Sequence, residues 1–222
     1  MPRQPRIDIG DNIYHVINSA NARLPIFTND KEYALFEELL LEAKELTGMR
    51  ILAYCIMPNH WHLVLYPLRD GELSSFMQWL TNTHTRTWHV RHGTIGTGHL
   101  YQGRYKSFLV QNDTYALQVL RYVEQNPLRA KLVKRSEQWR WGSLWRREQG
   151  TEQQKSLLNQ WPVTIPRDYL TWVNQHESEE ELQILRNSVN KGKPFGAEVW
   201  MLDTVERYGL EATLRGPGRP KR

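Results

Sequence analysis

Ile51-Leu52-Ala53-Tyr54-Cys55-Ile56-Met57 is followed by Pro58-Asn59 and then by His60-Trp61-His62-Leu63-Val64-Leu65-Tyr66-Pro67. Both halves are rich in β-branched and aromatic residues, and Pro58-Asn59 is turn chemistry, so the whole reads as two paired strands. In a strand, residues two apart share a face, about 6–7 Å from one another. His60 and His62 therefore project side by side, while Trp61 and Leu63 go to the opposite face. Two neutral imidazoles so placed hold one metal ion if a third ligand arrives from elsewhere. The alternative is a pair of polar residues at the exposed start of a strand.

Upstream, Ile13-Tyr14-His15-Val16-Ile17 alternates and reads as a first strand, with a loop over Asn18–Asn29. Lys31 to Thr47 carries Leu35, Leu39, Leu40, Ala43 and Leu46 at helical spacing, with Asp30 as N-cap and Gly48 as C-cap. Downstream, Gly71 breaks the chain and Leu73 to Val90 reads as a second helix. A glycine-rich loop at Gly93–Gly98 leads to a strand over Tyr105–Val110. Asp113 or Thr114 caps a third helix, which must stop before Pro127. The order strand, helix, strand, strand, helix, strand, helix matches an α+β, ferredoxin-like split βαβ sandwich, an antiparallel sheet with helices against one face. Beyond residue 135 the pattern changes to short tryptophan-bearing segments, with a helix over Glu179–Val189. We therefore divide the chain into a core domain, 1–135, and an α-rich C-terminal extension, 136–222, ending in a basic, disordered tail.

Composition narrows the function. An apolar fraction of 40% over 222 residues suits a packed globular protein. No apolar run approaches the ~20 residues of a membrane helix, and no secretory leader opens the chain, so no membrane association and a cytoplasmic location are expected. The lone cysteine, Cys55, sits in an apolar strand and reads as a small buried hydrophobe. The formal charge of +5 is segregated: Leu73 to Asn112 contains no Asp or Glu, and Arg129 to Arg147 holds seven Lys/Arg against Glu137 alone. Positive charge interleaved with Trp, Tyr and His points to a polyanionic partner, nucleic acid above all.

Tyr122 and Asn126 are i,i+4 on the third helix and share a face. The amide oxygen of Asn126 offers the third metal ligand and puts the Tyr122 hydroxyl near the ion. A phenol has a pKa near 10, so it needs help to attack, and a divalent cation supplies it by polarising a phosphate oxygen. Covalent attack then splits strand cleavage and rejoining into two reversible steps. Taken singly, Tyr122 is also read as a packed helix tyrosine and Asn126 as a residue at a helix C-terminus.

Pro58-Asn59-His60-Trp61-His62-Leu63, followed by Arg121-Tyr122-Val123-Glu124-Gln125-Asn126-Pro127-Leu128-Arg129-Ala130, resembles the single-tyrosine HUH transposases, and among them the REP-associated tyrosine transposases. Leu100 to Ser107 is similar to that family's basic-aromatic stretch, and Ser188 to Gly196 with Gly218-Arg219-Pro220 to a C-terminal extension found on many members. At Asn18-Ser19-Ala20-Asn21 the chain departs from the pattern. The resemblance implies metal ligation by His60, His62 and Asn126, nucleophilic attack by Tyr122 to give a 5′-phosphotyrosine and a free 3′-OH, and recognition of single-stranded or hairpin DNA in repetitive palindromes. Mg²⁺ or Mn²⁺ is the expected ion, although two imidazoles also suit Zn²⁺ or Ni²⁺. Arg104, Lys106, Arg121, Arg129 and Arg219 are the candidate DNA contacts, with Glu124 and Gln125 as candidates either for handling protons or for supporting the site residues from behind. A monomer and a homodimer both fit. The rival readings are a hairpin-binding protein that does not cleave and a metal-dependent hydrolase of small phosphate esters.

Arg215 to Arg222 holds four basic residues among glycine and proline, a composition too poor in apolar groups to pack. Its Gly218-Arg219-Pro220 resembles the centre of an AT-hook, in which an extended arm lies in a minor groove. Deleting 215–222 should flatten the salt dependence of hairpin binding by about 0.9 log unit per lost phosphate contact, for up to roughly four contacts. An unchanged affinity and slope in a salt titration would leave the tail without a role in binding.

Overall fold

The computed structural model describes residues 6–215. The hairpin forms where the sequence puts it. β2 (Arg50–Met57) and β3 (His60–Tyr66) pair antiparallel with Met57 opposite His60, which leaves Pro58-Asn59 as a two-residue turn. That turn is anchored as well as tight. The Pro58 carbonyl accepts from the Ile26 and Phe27 amides at 2.8 and 3.0 Å, and the Asn59 carbonyl accepts from Ala20 at 2.8 Å. β1 (Ile13–Ser19) lies on the other side of β3, and β4 (Lys106–Val110) lies beyond β1. The order β2-β3-β1-β4 is antiparallel throughout. β1 and β2 thus run parallel with β3 between them, the split βαβ arrangement.

Alternation along the strands sorts the side chains. Tyr14, Val16, Tyr54, Ile56, Trp61 and Leu63 face a core built with α1 (Asp30–Thr47) and α2 (Glu72–His92). Cys55, Val64 and Phe108 face a second core with α3 (Thr114–Glu124). Helices on one face only were expected, and the structure corrects this: both faces are covered. The reason lies in β2, which from Ile51 to Met57 is apolar on both faces rather than alternating, and such a strand needs cover above and below. Local signals shift by a residue or two. Asn29, not Asp30, caps α1 by accepting from the Lys31 and Glu32 amides, and Gly48 closes it in the left-handed region at φ +78°.

After α4 (Asn126–Arg129) the chain forms α5 (Ser143–Gln149), α6 (Glu152–Lys155), α7 (Tyr169–Asn174), α8 (Glu179–Lys191) and α9 (Glu198–Tyr208). The change in composition near residue 135 marks no break in packing. Trp161, Tyr169, Val173, Leu182, Leu185 and Phe195 share the second core with the sheet. The extension also closes both sheet edges, which would otherwise expose unpaired backbone. On β2, the Ile56 amide donates to the Trp141 carbonyl at 2.9 Å, and the Leu52 carbonyl accepts from the Trp161 indole at 2.8 Å. On β4, the Phe195 amide donates to Leu109 at 2.8 Å, and its carbonyl accepts from Gln111 at 2.9 Å. Among the described residues, no helix is long and apolar enough to cross a membrane.

One polar cluster fastens α5 to the core. Tyr54 donates to Glu37 at 2.5 Å and accepts from Arg146 Nε at 2.6 Å, while Arg146 Nη2 lies 2.5 Å from Glu37. All three are buried. Removing one partner of a buried ion pair strands the other charge, at a cost of about 3–5 kcal/mol. Arg146→Ala should fall at the low end of that range in urea unfolding, because Arg140 remains 3.5 Å from Glu37.

Candidate active site

α3 begins at Asp113, whose carboxylate accepts from the Tyr115 amide at 2.8 Å, and it buries Val119, Leu120 and Val123 against the sheet. It ends at Glu124 because Pro127 has no N–H to offer the Val123 carbonyl. The Asn126 side-chain amide substitutes, donating to the carbonyls of Tyr122 and Val123, each at 3.2 Å. Asn126 therefore opens α4 instead of continuing α3, and one unbroken helix carrying both residues does not form. The substitution orients the side chain. Its nitrogen is tied to backbone, and its oxygen is engaged by no donor among the described residues.

The strands bring the histidines up from below. His60 and His62 share the face beneath α3, with ring centroids 5.1 Å apart. The Tyr122 ring stands edge-on to His62 at 5.9 Å. Tyr122 and His62, 60 residues apart in sequence, thus meet. No hydrogen bond joins Asn126 to either imidazole among the described residues.

Hydrogen bonds assign the tautomer of His60. The Asn59 amide nitrogen donates to the Arg23 carbonyl at 3.2 Å, so its oxygen is the atom 2.7 Å from His60 Nδ1. That nitrogen therefore carries the proton, and the Nε2 lone pair is free. His62 Nδ1 lies 2.9 Å from Nε2 of His15, which is fully buried. Burial pushes His60 down to about 4 and His15 to about 3, and holds His62 well below the ordinary range, with His60 and His15 adding to the effect. All three stay neutral at pH 7, the form that ligates metal. Among the described residues, no three His, Cys, Asp or Glu side chains form a cluster able to hold an ion. An ion here would rest on two imidazoles, with the Asn126 amide as the available third donor.

Tyr122 is buried, and burial raises its phenol above the ordinary value while Arg129 and Arg186 pull it down. The Arg129 guanidinium sits 4.2 Å from the Tyr122 ring centroid, donates to the Tyr122 carbonyl at 2.6 Å and pairs with Glu177 at 2.7 Å. Arg121 is buried and donates to the Gln175 carbonyl at 2.9 Å. Both arginines, candidate DNA contacts, bond to the extension, Arg121 at Gln175 and Arg129 at Glu177. Glu124 accepts from Ser143 and Tyr169, and Gln125 donates to the carbonyls of Val173 and Gln175, so neither is placed to carry a proton from Tyr122.

Arg104 and Lys106 are exposed. They line a cavity of about 610 Å³ together with His60, Arg23, Asn59 and Gln102. Arg219 lies outside the described residues. Sequence reading missed His15, Arg23 and the extension's hold on Arg129. The available signal for His15 was a histidine sharing a strand face with Ile17, opposite a buried strand.

A family model described as "Transposase IS200 like" matches residues 9–126. No curated protein matches the chain. The solved structure of a REP-associated tyrosine transposase bound to a REP hairpin is similar in fold, with a TM-score of 0.56 at 20% identity over 66% of this chain and 84% of that one. A proposed transposase from Deinococcus radiodurans R1 aligns with a TM-score of 0.40 at 20% identity, over 55% and 96% of the two chains.

Buried neutral histidines carry a cost in acid. His15 and His84, both pushed down to about 3, and His62 refuse protons that the unfolded chain accepts near pH 6.5. Their contribution is fully present above pH 6.5 and is lost as the pH falls below it, by up to roughly 1.4 kcal/mol per pH unit for each. Glu124, raised by burial, acts in the opposite sense. Urea unfolding at pH 7, 6 and 5 should show falling stability, and a flat profile would contradict the burial of these rings.

Proposed function

The chain belongs to the IS200-like transposase family, and from that premise we propose that it cleaves and rejoins single-stranded DNA at hairpins through a covalent bond to Tyr122. The observation that carries this reading is the contact of Tyr122 with His62, whose neighbour His60 lines a cavity with Arg23, Arg104 and Lys106. The likeness to a hairpin-bound REP-associated transposase supports hairpin DNA as the substrate.

In the proposed reaction the Tyr122 oxygen attacks the scissile phosphorus and loses its proton to solvent. The bond from phosphorus to the 3′ oxygen breaks, leaving a 5′-phosphotyrosine and a 3′-OH. Attack by a 3′-OH on that phosphotyrosine restores the phosphodiester and frees Tyr122. Both steps conserve one phosphoester bond, so no external energy source is required. Arg104 and Lys106 hold the backbone as it approaches His60, with Arg23 on the same wall. His60 and His62 would hold Mg²⁺ or Mn²⁺ through Nε2, with Asn126 as the third protein donor. When bound, the ion polarises the phosphate oxygens and offsets the charge that builds up in the transition state. The burial of Tyr122 beneath Arg129 favours, as a second reading, a protein that binds hairpins without cutting them.

Single-stranded hairpin oligonucleotides incubated with Mg²⁺ or Mn²⁺ and run on denaturing gels separate these readings. Wild-type protein should yield a cleaved strand and a covalent adduct, and both should vanish in Tyr122→Phe while hairpin affinity holds within about fivefold, since one hydroxyl is worth about 1 kcal/mol or less in binding. EDTA, His60→Ala and His62→Ala should abolish cleavage, and Asn126→Ala should weaken it less because water can replace an amide ligand. Cleavage by Tyr122→Phe would overturn the mechanism, and cleavage in EDTA would overturn the metal.

A further inference from the structure

His15 lies outside the set of groups that the proposed reaction uses, yet it is fully buried and makes one polar contact, from Nε2 to His62 Nδ1 at 2.9 Å. Its own Nδ1 is buried with no partner. Its ring packs 4.9 Å from Phe108 and 6.2 Å from Tyr122, centroid to centroid. A buried imidazole with an orphaned nitrogen is costly to keep, and in an apolar sheet face Phe or Leu would pack as well.

We propose that His15 is a positioning residue that holds His62 in the tautomer and ring orientation needed for metal binding. The proposal rests on the metal reading given above. A metal-ligating histidine ordinarily donates its other N–H to a carboxylate or a carbonyl, which fixes the ring. His60 follows that pattern with the Asn59 amide oxygen. For His62 the corresponding acceptor is a second neutral imidazole.

Two neutral imidazoles sharing one hydrogen bond have two arrangements. If His62 donates from Nδ1, its Nε2 carries a lone pair, and the proton of His15 sits on the orphaned Nδ1. If His15 donates from Nε2, the proton of His62 sits on its own Nε2 and blocks ligation. Only the first arrangement admits an ion, so loading selects it. The orphaned nitrogen of His15 is then the donor that this selection leaves buried.

The test uses the full chain without DNA. Mn²⁺ affinity is measured by calorimetry for the wild type, His15→Phe, which keeps a ring of similar size without an acceptor, and His15→Gln, which restores an acceptor near the position of Nε2. Circular dichroism checks the fold of each. His15→Phe should bind Mn²⁺ about 10–100-fold more weakly, the usual effect of removing such a partner, and His15→Gln should recover much of the loss. A structural role alone would not distinguish the two variants. If His15→Phe does not fold, imidazole ¹⁵N spectra of the Zn²⁺-loaded wild type decide: an unprotonated Nε2 on His15 that accepts from His62 Nδ1 supports the proposal, and a protonated Nε2 on His15 overturns it. Wild-type Mn²⁺ affinity in His15→Phe overturns this proposal alone. A wild type that binds no Mn²⁺ overturns the metal reading and this proposal with it.

Discussion

The antiparallel register of β1 on β3 sets Ile17 opposite His62 and Ser19 opposite His60, and by the same step brings the His15 ring against His62. Side chains alternate with a period of two, so a slip of one residue would send His15 into the opposite core and drive Tyr14 or Val16 into its place. The register is fixed from the hairpin end. The Pro58-Asn59 turn takes hydrogen bonds from Ala20, Ile26 and Phe27, so the loop leaving β1 is tied to the loop joining β2 and β3. Asn59 serves both purposes, because the side chain of this turn residue also orients His60.

The other half of the site depends on the extension. Arg129 connects the Tyr122 carbonyl, the Tyr122 ring and Glu177, while Gln125 and Arg121 reach the backbone between Val173 and Gln175. The segment entering α8 therefore grips the junction of α3 and α4 on which Tyr122 and Asn126 sit. The family match stops at residue 126, yet the surroundings of Tyr122 include residues some 50 positions further on. Core and extension form one mechanical unit at this point.

Much of this was legible in the sequence where the signal was local. The hairpin was readable from Pro58-Asn59 between two β-rich runs, the end of α3 from Pro127, and the shared face of His60 and His62 from their spacing. What could not be read was long-range. The bonds of Arg121 to Gln175 and of Arg129 to Glu177 were hidden because both partners lie in a segment with no periodicity linking it to α3. The bonds that Glu124 accepts from Ser143 and Tyr169 were hidden for the same reason. A helix layer on only one face was inferred by counting elements, although the unbroken apolar run Ile51 to Met57 of β2 already argued for two. His15 passed as an ordinary strand residue because its meaning lies in a ring 47 positions away.

The closure of both sheet edges by the extension has a consequence for biosynthesis. The fourth strand is complete at Val110, whereas the residue that covers its outer edge, Phe195, comes 85 positions later. At translation rates of roughly 5–20 residues per second, about 4–17 s separate the two. Through that interval the nascent chain holds a complete sheet with an uncovered edge at β4, the kind of surface on which neighbouring chains on a polysome pair with one another. A sheet folded before residues 139–195 emerge would therefore present both edges uncovered, at the stage when the finished molecule has no stability of its own to defend.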